Sequence, residues 1–208
     1  MPKSFLCATA ALLLSSGAAF SAPADQPGHK SPAPGSNTEA LSKVEDATAG
    51  MVGKISAEMT STTQGFVTAA AISDMYEVTA GKLALERSSS SAVKEFAKKM
   101  VDAHTETTTK LKGIIASNNI KVTPPAHVDN RRQGMLDNLR GASAAEFDNR
   151  YITQQVAAHK EADILMRGYS KDGDNAAVKT FASETDKHVK MHLSMAEKLA
   201  SNSKTASH

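Results

Sequence analysis

Long-range helical periodicity, cut by two short turns, constrains this chain more than any other feature. From Thr63 onward, apolar residues recur at three- and four-residue spacing with few interruptions. The pattern predicts four long helices, over 64–88, 92–117, 144–169 and 175–200. A serine run at 88–91 separates the first two, and Lys171-Asp172-Gly173-Asp174 separates the last two. Turns this short make each pair an antiparallel hairpin. Ser143 and Glu146 have capping-box spacing at the third start.

A long connection joins the hairpins, with Pro124-Pro125 and a short helix expected near 131–139. Two helical hairpins with one long crossover connection make an all-α, ferritin-like four-helix bundle. Composition agrees: the 208 residues are only 4% aromatic and lack Trp, which disfavours a β-sandwich. An echo links helices two and four. Ala92-Val93-Lys94-Glu95-Phe96-Ala97 recurs as Ala177-Val178-Lys179-Thr180-Phe181-Ala182, and Asp102-Ala103-His104 recurs one residue out of step as Asp186-Lys187-His188. Phe66, Phe96, Phe147 and Phe181 each stand near a helix start, as anchors for both ends of the core.

The N-terminus reads as an export signal. Lys3 precedes an apolar run over 5–20, and Ala19-Phe20-Ser21 fits the small-x-small rule, placing cleavage after Ser21. Cleavage removes Cys7, the single cysteine, which excludes thiolate chemistry and disulfides from the mature chain. The expected location is periplasmic or secreted, with no transmembrane span in the mature chain. Residues 22–61 read as a flexible linker, Pro/Ser/Gly-rich at first. Within it, Leu41, Val44, Met51, Val52, Ile55 and Met59 suggest a short amphipathic helix that Gly50 and Gly53 weaken. The helical domain occupies 62–201, and 202–208 is the expected disordered tail. The formal net charge is +2, which argues against nucleic acid as a partner.

Heptad steps along each helix trace the core-facing lines. Helix one gives Phe66, Ser73, Ala80 and Ala70, Glu77, Ala84. Helix two gives Ala97, His104, Leu111; helix three gives Ile152, His159, Met166. Helix four gives Val178, Thr185, His192, Leu199 and Phe181, His188, Met195. Glu77, His104, His159 and His188 lie within about a turn of the midpoints of their helices, and His192 lies one turn further along, at ~1.5 Å rise per residue. Polar groups at one height in an apolar core need a shared partner. Two partners fit: a transition metal, or a hydrogen-bonded layer that sets helix register. Neutral imidazole suits iron, zinc or copper. The paired Glu-x-x-His motifs of carboxylate-bridged di-iron bundles are missing.

The ordered motifs resemble one bacterial family. They run from Phe66 through Glu77 to Leu83-Ala84-Leu85, then Val93-Lys94-x-Phe96-Ala97-x-x-Met100-Val101-Asp102-x-His104. Phe147-Asp148-x-x-Tyr151, Ala158-His159-x-Glu161-Ala162 and His192-Leu193-x-Met195-Ala196 follow. Together they are similar to the family known as domain of unknown function 4142, over about 63–200. Ala103 stands where that family usually has Asp, and Thr185-Asp186 where it has Leu-Pro. The resemblance implies an exported ferritin-like fold and supplies no reaction. Three functions follow from the residues. The first is a metal-binding protein for storage, buffering or oxidative-stress protection, with Glu77, His104, His159, His188 and His192 as ligands. The second is a metal-free structural or interaction module of the cell envelope. The third is a metal-dependent oxidase or peroxidase, with Tyr76 and Tyr151 as redox neighbours.

Overall fold

The computed structural model describes residues 33, 35, 36 and 39–205. The expected signal over 1–21 lies outside the described residues. Among the described residues the chain is all-α, with six helices and no strand. These are α1 (Glu39–Glu58), α2 (Thr63–Arg87), α3 (Ser91–Ser117), α4 (Asn130–Arg140), α5 (Phe147–Asp172) and α6 (Ala176–Thr205). None of the described helices is long and apolar enough to cross a membrane.

Side-chain caps set several of the starts. Thr62 accepts from the Gly65 amide at α2, Ser90 from Val93 at α3, and Asp129 from Arg132 at α4. Asn175 accepts from the Ala177 and Val178 amides at α6. The start of α5 is different. The Ser143 hydroxyl donates to the Glu146 carboxylate at 3.0 Å instead of accepting from an amide. Residues 144–146 form a turn, and the helix begins at Phe147, later than the expected 144. Past 201, α6 continues to Thr205.

The helices pair as α2 with α3 and α5 with α6, and the pairs meet through α2 on α5 and α3 on α6. Gly81 permits a close α2–α3 approach: a Cβ there would lie 2.8 Å from Val101 Cγ2 and 3.1 Å from the Ala97 carbonyl. Two apolar clusters fill the interior. One holds Phe96, Phe147, Tyr151 and Met100; the other holds Phe66, Tyr169, Phe181 and Leu111. Each has an aromatic contact, Phe96 on Tyr151 at 6.2 Å and Phe66 on Tyr169 at 4.3 Å. Along every long helix, residues of one cluster give way to the other across a buried polar position. Arg87 locks the α4–α5 turn, donating to the carbonyls of Leu139, Arg140 and Ala142 at 2.7–2.9 Å beneath the Phe147 ring.

Helix α1 is amphipathic the unexpected way round. Its apolar residues Leu41, Val44, Met51, Val52 and Ile55, and Met59 just past its end, are 47–80% exposed. Its buried face is Ser42, Asp46, Gly50, Gly53 and Ala57. That face lies on α5 and α4 through hydrogen bonds. Asp46 accepts from Asn138 at 3.0 Å and from Gln154 at 2.8 Å. Arg150 donates to Glu39 at 2.7 Å. Gly53 is required by space: a Cβ would fall 2.0 Å from Glu161 Oε2 and 2.6 Å from Arg131 Nη1. The Glu161 carboxylate cannot easily retreat, because Arg131 grips both oxygens at 2.7 and 3.0 Å and buried Arg132 holds one at 3.0 Å. At Gly50 a Cβ would meet only the Ala157 methyl, at 3.4 Å.

The two glycines therefore answer alanine with opposite signs. Gly50→Ala raises stability by up to ~1 kcal/mol, the helix-propensity gain. Gly53→Ala lowers it by on the order of 1–3 kcal/mol, because displacing a charge from a buried ion pair exceeds that gain. Thermal unfolding of the two variants side by side checks the signs. Two shifts in the same direction would refute the packing assigned to α1.

Candidate metal centre

The belt between the apolar clusters is built from α2, α3, α5 and α6. Helix α2 contributes Asp74 and Glu77, α3 His104, α5 His159 and α6 His192, and all five are buried. The three imidazoles form a nearly equilateral triangle, with ring centroids 5.7, 5.9 and 5.6 Å apart. One potential ligand atom from each lies within 4.8 Å of the other two. His104 Nε2, His159 Nε2, His192 Nδ1 and Glu77 Oε2 have no hydrogen-bond partner. Small residues bring the helices close enough for this; Ala70, Ala80, Ala97 and Ala158 are almost fully buried around it.

The partners of the rings fix their tautomers. A backbone carbonyl can only accept, so His159 Nδ1 donates to the Gln155 carbonyl at 2.9 Å and its lone pair lies on Nε2. His104 Nδ1 donates to Asp74 Oδ1 at 2.8 Å, and the Thr108 hydroxyl donates to Asp74 Oδ2 at 2.9 Å. A carboxylate behind an imidazole is the usual second-layer support of a metal ligand.

Charge divides unevenly among the rings. Burial, followed by the charge of His104, pushes His159 down to about 3. Burial, followed by the charge of His104, does the same to His192, also to about 3. Both are neutral, with lone pairs free to bind. Burial also pulls His104 down, but the hydrogen bond and charge of Asp74, with the charge of Glu77, outweigh it and raise the pKa. Burial raises Asp74 against the pull of His104 and Thr108. Burial likewise raises Glu77, against His104, Gln155 and Arg132. Glu77 Oε1 stands 3.9 Å from His159 Nδ1, beyond hydrogen-bond reach.

The five sequence candidates thus divide. His104, His159 and His192 converge, and Glu77 sits buried beside His159. His188 is exposed and lines a cleft between α3 and α6 that also reaches His104 and His192. The echo explains the difference. At the offset that aligns 92–97 with 177–182, the counterpart of His104 is buried Val189, and His188 is rotated one residue, ~100°, around the helix. Asp74 is the residue that heptad stepping missed. Its signal was its position, three residues before Glu77 on the same face of α2. The Tyr76 hydroxyl is occupied by Gln154 Oε1 at 2.9 Å. The Tyr151 hydroxyl is buried without a partner, against Phe96.

Two neutral buried rings imply an acid-labile fold. In the unfolded chain they take up protons near the ordinary value of about 6.5, whereas in the folded chain they wait until about 3. The unfolded state therefore binds more protons across that window, and stability is lost as the pH falls through it. Chelator-treated protein should show a denaturant midpoint that declines from pH 6.5 downward. His159→Gln and His192→Gln should each flatten the decline, since glutamine gains no proton. Slopes unchanged in both variants would contradict buried neutral rings.

The chain matches the family model described as Domain of unknown function (DUF4142) over residues 51–199, from within α1 to near the end of α6. No curated protein and no solved structure matches it. With most of its length and all three converging histidines inside the match, the chain belongs to the domain of unknown function 4142 family.

Proposed function

We propose that this protein is an exported metal-binding protein, a ferritin-like four-helix bundle of α2, α3, α5 and α6 holding one transition-metal ion. His104 Nε2, His159 Nε2 and His192 Nδ1 are the ligands, with Glu77 Oε2 as the carboxylate beside them. The observation that carries the reading is the convergence of three buried imidazoles, each with an unpartnered nitrogen. Each buried polar atom left unsatisfied costs ~1–3 kcal/mol, so three in one cluster call for an occupant.

The chemistry of the donors agrees. Metal–nitrogen bonds of ~2.1 Å place three nitrogens around one ion about 3.4–3.6 Å from one another. The trio, within 4.8 Å, closes on an ion by little more than an ångström. Imidazole nitrogens select zinc, copper or iron over magnesium or calcium. A layer that only set helix register would pair all of its members, as His104 pairs with Asp74, and here one nitrogen of each ring is left over. The export pattern of residues 1–21 supports a periplasmic or secreted location. There, a buried histidine site would store or buffer metal and suppress metal-driven oxidation. Oxidase or peroxidase chemistry is the second reading, favoured by the cleft that reaches His104 and His192. Its measure is peroxide turnover by iron- or copper-loaded protein.

The decisive measurement is thermal unfolding of metal-stripped protein without an affinity tag, titrated with zinc, copper and iron. One of them should stabilise it by about 2.7 kcal/mol at a hundred times its Kd, roughly 5–10 °C in Tm. No shift with any metal would sink the proposal. Asp74→Asn keeps the three nitrogens and loses the support behind His104, so affinity should fall about 10–100-fold. Unaltered affinity in that variant would remove Asp74 from the site.

A further inference from the structure

Two of the three rings, His104 and His192, are reached from outside by a cleft along one face of α6. Glu184, His188 and His192 are spaced i, i+4, i+8, about 6 Å apart along the helix axis, and all three line the cleft between α3 and α6. The cleft encloses about 100 Å3, room for a few waters or a partly hydrated ion. Glu184 and His188 are exposed at its outer end, with Glu106 of α3 beside them. Its inner end is His104 and His192, each more than nine-tenths buried and each carrying an unpartnered nitrogen. Lys110 of α3 spans the opening to Glu184 at 2.6 Å.

We propose that this ladder is the route by which a hydrated divalent transition-metal cation reaches the buried histidines. Glu184 captures the ion electrostatically, His188 replaces one of its waters, and His192 then binds it from the next turn. Each step exchanges one ligand for another, with no change in the charge of the metal. His188 and His192 stand one turn apart, close enough to share the ion during transfer. His188 is then a transient ligand, which accounts for its position outside the triangle. Lys110 opposes the route twice, by occupying Glu184 and by placing a positive charge at the opening. The inference rests on the trio being the resident metal site.

Stopped-flow mixing of metal-stripped protein with cobalt(II), read by its visible absorption, measures loading. Competition against a chromophoric chelator measures the equilibrium Kd. His188→Ala should slow loading about tenfold and leave Kd within about twofold, because a route acts equally on uptake and release. Lys110→Gln should do the reverse, speeding loading several-fold with Kd unchanged. Both positions are exposed, so neither variant disturbs the core. Loading rates unchanged in both variants would overturn the route. A Kd weakened as much as the rate in His188→Ala would make His188 a resident ligand and overturn it as well. Wild-type protein that takes up no metal would overturn the site and the route together; wild type that binds normally while the variants load normally overturns the route alone.

Discussion

A buried nitrogen with nothing to bond to is expensive, and this fold places three of them face to face. Around that constraint the rest of the interior is arranged. The apolar core is split into two clusters with the imidazoles between them, and each cluster carries its own aromatic anchor. Small residues line the helix contacts, so rings from α3, α5 and α6 meet within a few ångströms. Hydrogen bonds hold one nitrogen of His104 against Asp74 and one of His159 against the Gln155 carbonyl, and leave the other nitrogen of each ring without a partner.

Much of this was legible in the sequence because helical periodicity marks the long helices and the positions where a polar residue breaks a core line. The starts at Thr63 and Ser91 lie within one residue of the expected 64 and 92, and the histidines at 104, 159 and 192 fall where heptad steps put them. What periodicity could not supply was radial position. His188 and His192 share a helix face one turn apart, and only packing against α3 and α5 decides which one is interior. Asp74 was hidden for a related reason. It lies beside the traced lines of α2, and its importance exists only across the gap to His104 and Thr108.

A short helix was expected over α1, but its docking face was hidden for a different reason. Hydropathy finds a docking face by its apolar residues, and here the docking face consists of glycine, serine, alanine and aspartate. Gly50 and Gly53, which argue against a helix by propensity, are the positions where α5 comes closest. Tertiary fit overrides the intrinsic preference, and the Glu161–Arg131–Arg132 cluster is what the missing side chain makes room for.

That way of attaching α1 has a consequence for how the molecule fluctuates. Most helices are held by apolar area, so lifting one exposes oil to water and the event is strongly favoured by denaturant. Lifting α1 would break hydrogen bonds at Asp46, Arg131 and Arg150 while exposing little new apolar surface, since its apolar side already faces out. Its opening therefore belongs to the class of subglobal motions with a small dependence on denaturant, separate from the cooperative unit formed by the four long helices. In amide exchange, α1 would form a foldon of its own, released by weakening of its polar contacts and not by melting of the core.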